Sequence, residues 1–249
     1  MAISLRAEEI FHIGSFPVTN SVLLAFVALI VLTVFAVILR RGLKMVPGGV
    51  QNIAEIVIDG ALGLMDSVLG DRRKSEKYLP IVLTVFLFVI CSNWLGLLPG
   101  VGSLTVRSAG GTVPLFRSPA ADLNFTLALA LIAVTFANAL GVAAIGLGGR
   151  LKVFFNFKNP IAFFVGILEL ISEFAKIISF SFRLFGNVFA GEVLLTIIGF
   201  LLPYVAPLPF MFLEIFVGFI QAFIFGMLTL VFISMAVSEH EEHPAPAGH

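Results

Sequence analysis

Five charged side chains, Glu169, Glu173, Lys176, Arg183 and Glu192, fall within 24 residues of an apolar run that extends from Ile161 to Leu202. The next apolar run adds Glu214 and Gln221. A charge near the centre of a bilayer costs about 2.5–3.5 kcal/mol on insertion scales, so each such residue is a functional candidate by default. Carboxylates exchange protons near neutral pH when desolvated or crowded. A guanidinium, with a pKa above about 12, does not. At 100° per residue, Glu169, Glu173, Lys176 and Arg183 lie within about 80° of one another, and Asn187 continues the stripe. Glu192 falls on the opposite face, while Glu214 and Gln221 share a face of the following helix. One charged stripe with a single acid behind it suggests two separate polar routes rather than one pore. Glu169, Glu173 and Lys176 have a plain alternative: they could sit near the cytoplasmic membrane end, with the lysine snorkelling and pairing with the acids at i,i+3 and i,i+7. Arg183 is harder to excuse. It lies 22 residues after Ile161 and 19 before Leu202 with no acid within one turn. A structural arginine finds its partner in its own chain, so the counter-charge of Arg183 is expected from another subunit.

The elements that must carry these residues are membrane helices. The chain has 249 residues, 59% hydrophobic and 12% charged, with zero net charge and mean hydropathy +1.09. A soluble domain is about 25% charged, so the excess apolar surface is expected to face lipid. Zero net charge and the lack of a basic patch argue against a nucleic-acid partner. Spans are expected over Val18–Leu39, Leu79–Leu98, Leu123–Leu147, Ile161–Leu202 and Phe210–Val237, giving an all-α protein with about five membrane helices. The last two are separated by a rigid reversal, Pro203–Pro209. The fourth, 42 residues long, would measure about 63 Å and is expected to be bent, broken or strongly tilted. Residues 47–69 read as an amphipathic helix lying on the membrane surface, or else as a buried cytosolic helix. Loop 99–122 reads as irregular. The whole is expected to be a single integral membrane domain, residues 1–249.

Ten Lys and Arg residues fall in loops on one side, against Arg6, Arg107 and Arg117 on the other. This places the N-terminal segment 1–17 outside and the C-terminus in the cytoplasm. The run after residue 17 is too long for a cleaved signal. The basic loops favour a bacterial inner membrane. The polar tail 238–249 is expected to be disordered. Its His240-Glu241-Glu242-His243 lacks metalloprotease spacing, and Cys91 has no partner for a disulfide. No metal or cofactor is expected, and no phosphate-binding glycine loop is present.

The string Ser181-Phe182-Arg183-Leu184-Phe185-Gly186-Asn187-Val188-Phe189-Ala190-Gly191-Glu192 resembles the signature of the ATP synthase subunit a family. Asn93-Trp94-Leu95-Gly96-Leu97-Leu98-Pro99, Pro119-Ala120-Ala121-Asp122-Leu123-Asn124 and Gln221-Ala222-Phe223-Ile224-Phe225 support it, and the resemblance covers roughly residues 20–240. It implies a non-catalytic subunit that moves protons through two offset half-channels against a rotating ring of c subunits, coupling the proton gradient to ATP synthesis or hydrolysis. It also implies peripheral-stalk b-type subunits as partners, beside the lipid bilayer. Arg183 matches the residue that faces the ring carboxylates. Glu192, Glu214, Asn187 and Gln221 match the outer access route, and Glu169, Glu173 and Lys176 match positions toward the cytoplasmic exit. Some members carry His where this chain has Glu192 or Glu214; here both are acids, which favours a carboxylate pair working as a coupled unit. The resemblance also implies that the C-terminal half forms two long tilted helices as a hairpin. A stand-alone channel or secondary transporter is the alternative class.

Overall fold

The computed structural model describes residues 7–98, 100–108, 111–148, 154, 160–203 and 205–238. Six long helices dominate: α1 Asn20–Arg41, α2 Gly49–Leu69, α3 Arg72–Gly96, α4 Leu123–Ile145, α5 Pro160–Leu201 and α6 Pro207–Ser238. Helices α1, α3, α4 and α6 are each long and apolar enough to cross a membrane. Helix α5 supplies the charged run between them. The tail expected to be disordered, 239–249, and the basic residues Arg150, Lys152 and Lys158 lie outside the described residues.

Local chemistry sets the boundaries. Thr19 caps α1 by accepting from Val22 N, Asp71 caps α3 through Arg73 N, and Asp122 caps α4 through Asn124 N; each satisfies a donor that a helix start leaves open. The Asp71 cap starts α3 seven residues before the expected span, so Pro80 lies inside the helix rather than at its edge. Pro207 and Pro209 occupy the first turn of α6, where a missing N–H costs nothing. The reversal therefore ends earlier than Pro209. Gly70, with φ 68°, ends α2 in the left-handed conformation that favours glycine.

The loops hold more order than the sequence suggested. A two-stranded antiparallel hairpin, β1 Glu9–Ile13 and β2 Phe16–Thr19, precedes α1. Loop 99–122, expected to be irregular, carries a second hairpin, β3 Thr105–Ser108 and β4 Gly111–Pro114, and a buried 3₁₀ turn, Pro119–Ala121. Both hairpins gather where α3 ends and α4 begins. Buried Asn20 donates to Pro114 O at 3.3 Å, and buried Ser21 donates to Asp122 Oδ2 at 2.7 Å.

Helix α3 packs on α6, α4 on both α5 and α6, and α5 on α6. The core lies among these four. Phe180 of α5 stacks on Phe225 of α6 with centroids 3.6 Å apart, backed by Leu184, Val89, Ala130 and Ala133. A second cluster joins Met65 of α2 to Tyr78 and Val82 of α3, Ala137 of α4, and Leu230 and Ile233 of α6. Small residues let the helices approach: a β-carbon on Gly226 would lie 3.3 Å from Phe86 Cβ. Helix α2 is anchored at one end by Leu62 and Met65, while Val50, Ile53 and Ile56 stay exposed. In the chain by itself, α2 therefore packs through its C-terminal half. Helix α5 is helical without a break over its 42 residues, so of the three expected departures, breakage is removed.

Asp122 ties α1 to α4 and caps α4, so Asp122→Ala removes two hydrogen bonds and leaves the buried Ser21 hydroxyl with Thr19 Oγ1 alone. The expected cost is about 1–3 kcal/mol. It is read as a lower thermal midpoint of the detergent-solubilised protein, with Asp122→Asn losing less.

Candidate functional site

Helix α5 presents two faces because its apolar residues are unevenly buried. Phe180, Ser181, Leu184 and Gly191 are buried against the bundle. Ser179, Phe182, Arg183, Gly186, Asn187 and Ala190 are exposed. Arg183 thus points away from the core, about 35 Å along the helix from its start at 1.5 Å per residue. Among the described residues no carboxylate pairs with it, whereas the other charges of α5 have partners. One turn on, Asn187 Nδ2 donates to Gln221 Oε1 at 2.7 Å, joining α5 to α6. Gln221 is 2% exposed, and its Nε2 has no partner among the described residues.

Beyond that pair, toward the hairpins, a cavity of about 420 Å³ opens between α3, α5, α6 and the loop before α4. Glu192, Glu214, Asn93, Arg117 and Ser118 supply its polar lining. The two acids come from facing helices and share one space. Glu214 is 9% exposed, and its carboxylate rests on the α5 backbone at Gly191, where a β-carbon would overlap it. Glycine at 191 is therefore what lets the α6 acid sit beside Glu192. Arg117 holds the other side of Glu192, with Nε 3.2 Å from each carboxylate oxygen. Asn93 Nδ2 donates to Gly218 O at 3.1 Å and fixes α3 to α6 at the cavity wall. Asn93 Oδ1 and Ser118 Oγ are buried without protein partners among the described residues; such groups call for water.

The third group lies on α5 on the far side of Arg183. Lys176 Nζ is 2.8 Å from Glu173 Oε1 and 3.7 Å from Glu169 Oε1. Asn138 of α4 donates to Glu173 Oε2 at 2.9 Å. Lys176 also lies 5.7 Å from the Phe232 ring centroid on α6. Its side chain is 18% exposed and that of Glu173 is 13%. The lysine lies against α4 and α6 and makes the i,i+3 and i,i+7 contacts that the membrane-end alternative also expects.

All the residues singled out from the sequence fall into these three groups: Arg183 on the outer face with Asn187 and Gln221 just beyond it, Glu192 with Glu214, and Glu169 with Glu173 and Lys176. The expected opposition of Arg183 and Glu192 is present, one exposed outward and the other lining the cavity. Arg117 and Asn138 were missed as site residues. Their partners lie 75 and 35 positions away, and no spacing rule reaches that far. Among the described residues no group of three or more metal-ligating side chains occurs.

The family described as "ATP synthase A chain" matches residues 21–234. The chain is 36% identical over 236 residues to the ATP synthase subunit a of Campylobacter jejuni (strain RM1221), covering 94% of this chain and 91% of that one. It is 36% identical over 237 residues to that of Syntrophobacter fumaroxidans, covering 94% and 90%. It is 31% identical over 236 residues to that of Moorella thermoacetica, covering 95% and 99%.

The atoms that a β-carbon at 191 would meet are the far end of the flexible Glu214 side chain, so Gly191→Ala should be absorbed by a shift of that carboxylate, offset by the better helix propensity of alanine. The thermal midpoint should move by the equivalent of less than about 1 kcal/mol; a large loss would show that the Glu214 carboxylate cannot leave its place.

Proposed function

This chain belongs to the ATP synthase A chain family, and from that premise we propose that it is the stator subunit through which protons cross the membrane sector of an F-type ATP synthase. It is a single, multi-pass membrane domain of a bacterial inner membrane, with its N-terminus outside and its C-terminus in the cytoplasm. It carries no catalysis of its own; nucleotide chemistry belongs to other subunits. Its partners are a ring of c subunits against the exposed face of α5 and the b-type subunits of a peripheral stalk.

The observation that carries this reading is Arg183, an exposed guanidinium mid-way along α5 that no carboxylate of the described chain answers. A permanent cation in a low-dielectric setting needs an anion. A ring carboxylate, presented by each passing subunit, meets that need. A protonated carboxyl is neutral and turns through lipid at tolerable cost. Beside Arg183 its ionised form is favoured instead. The acids stand on either side of the arginine along α5: Glu192 about 14 Å toward the hairpins, Glu173 about 15 Å the other way. Two offset half-channels follow. Protons enter from outside through the cavity of Glu214 and Glu192, passing Asn187 and Gln221, and load the ring. After nearly a full turn they leave past Glu173 and Glu169 toward the cytoplasm. Arg183 separates the routes: it repels protons and cannot relay one. The driving force is about 2.3 kcal/mol per charge per 100 mV.

Arg183→Ala in the assembled complex should abolish ATP-driven proton pumping in inverted vesicles, and with it coupled synthesis; normal coupled pumping would overturn the mechanism. Glu192→Gln should slow proton entry while the ring still co-purifies, and an unchanged rate would remove Glu192 from the route. Ion conduction by the purified chain alone in liposomes would favour the stand-alone channel.

A further inference from the structure

Glu192 is bracketed, with the shared cavity on one side and Arg117 on the other. The Arg117 side chain is only 6% exposed, against 34% for Glu192. A guanidinium that deep is strongly unfavourable unless a carboxylate answers it. The loop that carries it is held firmly. Ser118, the next residue, packs so tightly on α3 that a β-carbon at Gly96 would lie 2.6 Å from Ser118 Cβ. The 3₁₀ turn that follows is buried, and Asp122 locks it to α1. On the other flank, Asn20 donates to Pro114 O and contacts Glu8, its Nδ2 3.5 Å from Glu8 Oε2. The Phe189 ring, one turn before Glu192, lies 6.0 Å from the guanidinium carbon. A rigid, buried cation is thus built against an acid of the entry route from three parts of the chain.

The form of the contact matters. Arg117 Nε donates to Glu192 Oε2 at 3.2 Å and stands equally far from Oε1, so the guanidinium straddles the carboxylate end-on. Charge-assisted bonds that lock a carboxylate run at about 2.7–2.9 Å, as Lys176 to Glu173 does at 2.8 Å. The straddle aims the carboxylate through one longer bond.

We propose that Arg117 is a positioning residue, which aims the Glu192 carboxylate into the cavity beside Glu214 while leaving it free to exchange a proton. This deepens, and rests on, the half-channel function proposed above. Arg117 takes no proton itself; it acts through Glu192.

The test is a double-mutant cycle in the complete ATP synthase, reconstituted in vesicles, reading the initial rate of ATP-driven acidification and retention of the ring on purification. Arg117→Gln should slow pumping about tenfold in the wild-type background and less than about twofold in the Glu192→Gln background, because a residue acting through another loses its effect when that residue is gone. Arg117→Lys should recover part of the rate, since an ammonium supplies the charge but not the planar straddle. Equal slowing in both backgrounds, or no slowing in either, would overturn the proposal. Should Arg117→Gln fail to retain the ring, Arg117→Lys is compared in the same two backgrounds and judged by the same outcomes. The parent function fails separately: pumping that survives Arg183→Ala would sink it whatever the cycle shows. With Arg183→Ala inactive and the cycle additive, only the role of Arg117 falls.

Discussion

A guanidinium that never loses its charge sits on the exposed face of α5, about half-way along, with no carboxylate of the described chain to neutralise it. The rest of the molecule makes sense as an arrangement around that fact. Other charges of α5 are answered internally: Glu192 by Arg117, Glu169 and Glu173 by Lys176. In water an isolated arginine would be unremarkable. In a chain whose mean hydropathy is +1.09 it is an unfilled electrostatic requirement, because few solvent dipoles are at hand to replace a missing anion. Among the described residues of α5, the other charges meet this requirement within the chain and Arg183 does not.

What turns Arg183 outward is packing. Phe180, Ser181 and Leu184 are all buried, so positions 182, 183, 186 and 187 must face the other way. The stacked pair Phe180 and Phe225 fixes that rotation, and the Thr126–Ser181 hydroxyl contact at 3.0 Å ties α4 to the same turn. Between membrane helices such close packing replaces the hydrophobic effect as the source of cohesion. The same logic holds at the cavity. Gly191 and Gly218 bring α5 and α3 close to α6, and the space that remains between them is lined with acid and amide groups rather than filled.

Much of this was legible in the sequence, for a definite reason. Spacings within one helix convert directly into angles, so the stripe of Glu169, Glu173, Lys176, Arg183 and Asn187 and the opposed Glu192 could be read from a 3.6-residue period. The membrane class followed from composition. Contacts between distant segments could not be read this way. Arg117 was counted only as a loop charge, although its loop carries it to Glu192. Asn138 looked like an ordinary polar residue in an Ala- and Leu-rich helix, yet it holds Glu173. The hairpins at 9–19 and 105–114 were missed because their strands are only four or five residues long, too short for an alternation to stand out. The start of α3 was misplaced because a hydrophobic span and a helix are different things: the capping Asp71 begins the helix well before the apolar stretch does.

The unbroken course of α5 carries a geometric consequence. The cluster of Glu169, Glu173 and Lys176, the arginine and Glu192 all ride on one continuous rod, whose angular phase is shared from Glu169 to Glu192. Adding or deleting a single residue between any two of them would rotate one by about 100° relative to the other and slide it about 1.5 Å along the axis. A point replacement along this stretch leaves the angular phase of the remaining side chains intact, whereas a change in the count of residues between them does not. The helix works as a ruler with a fixed number of graduations.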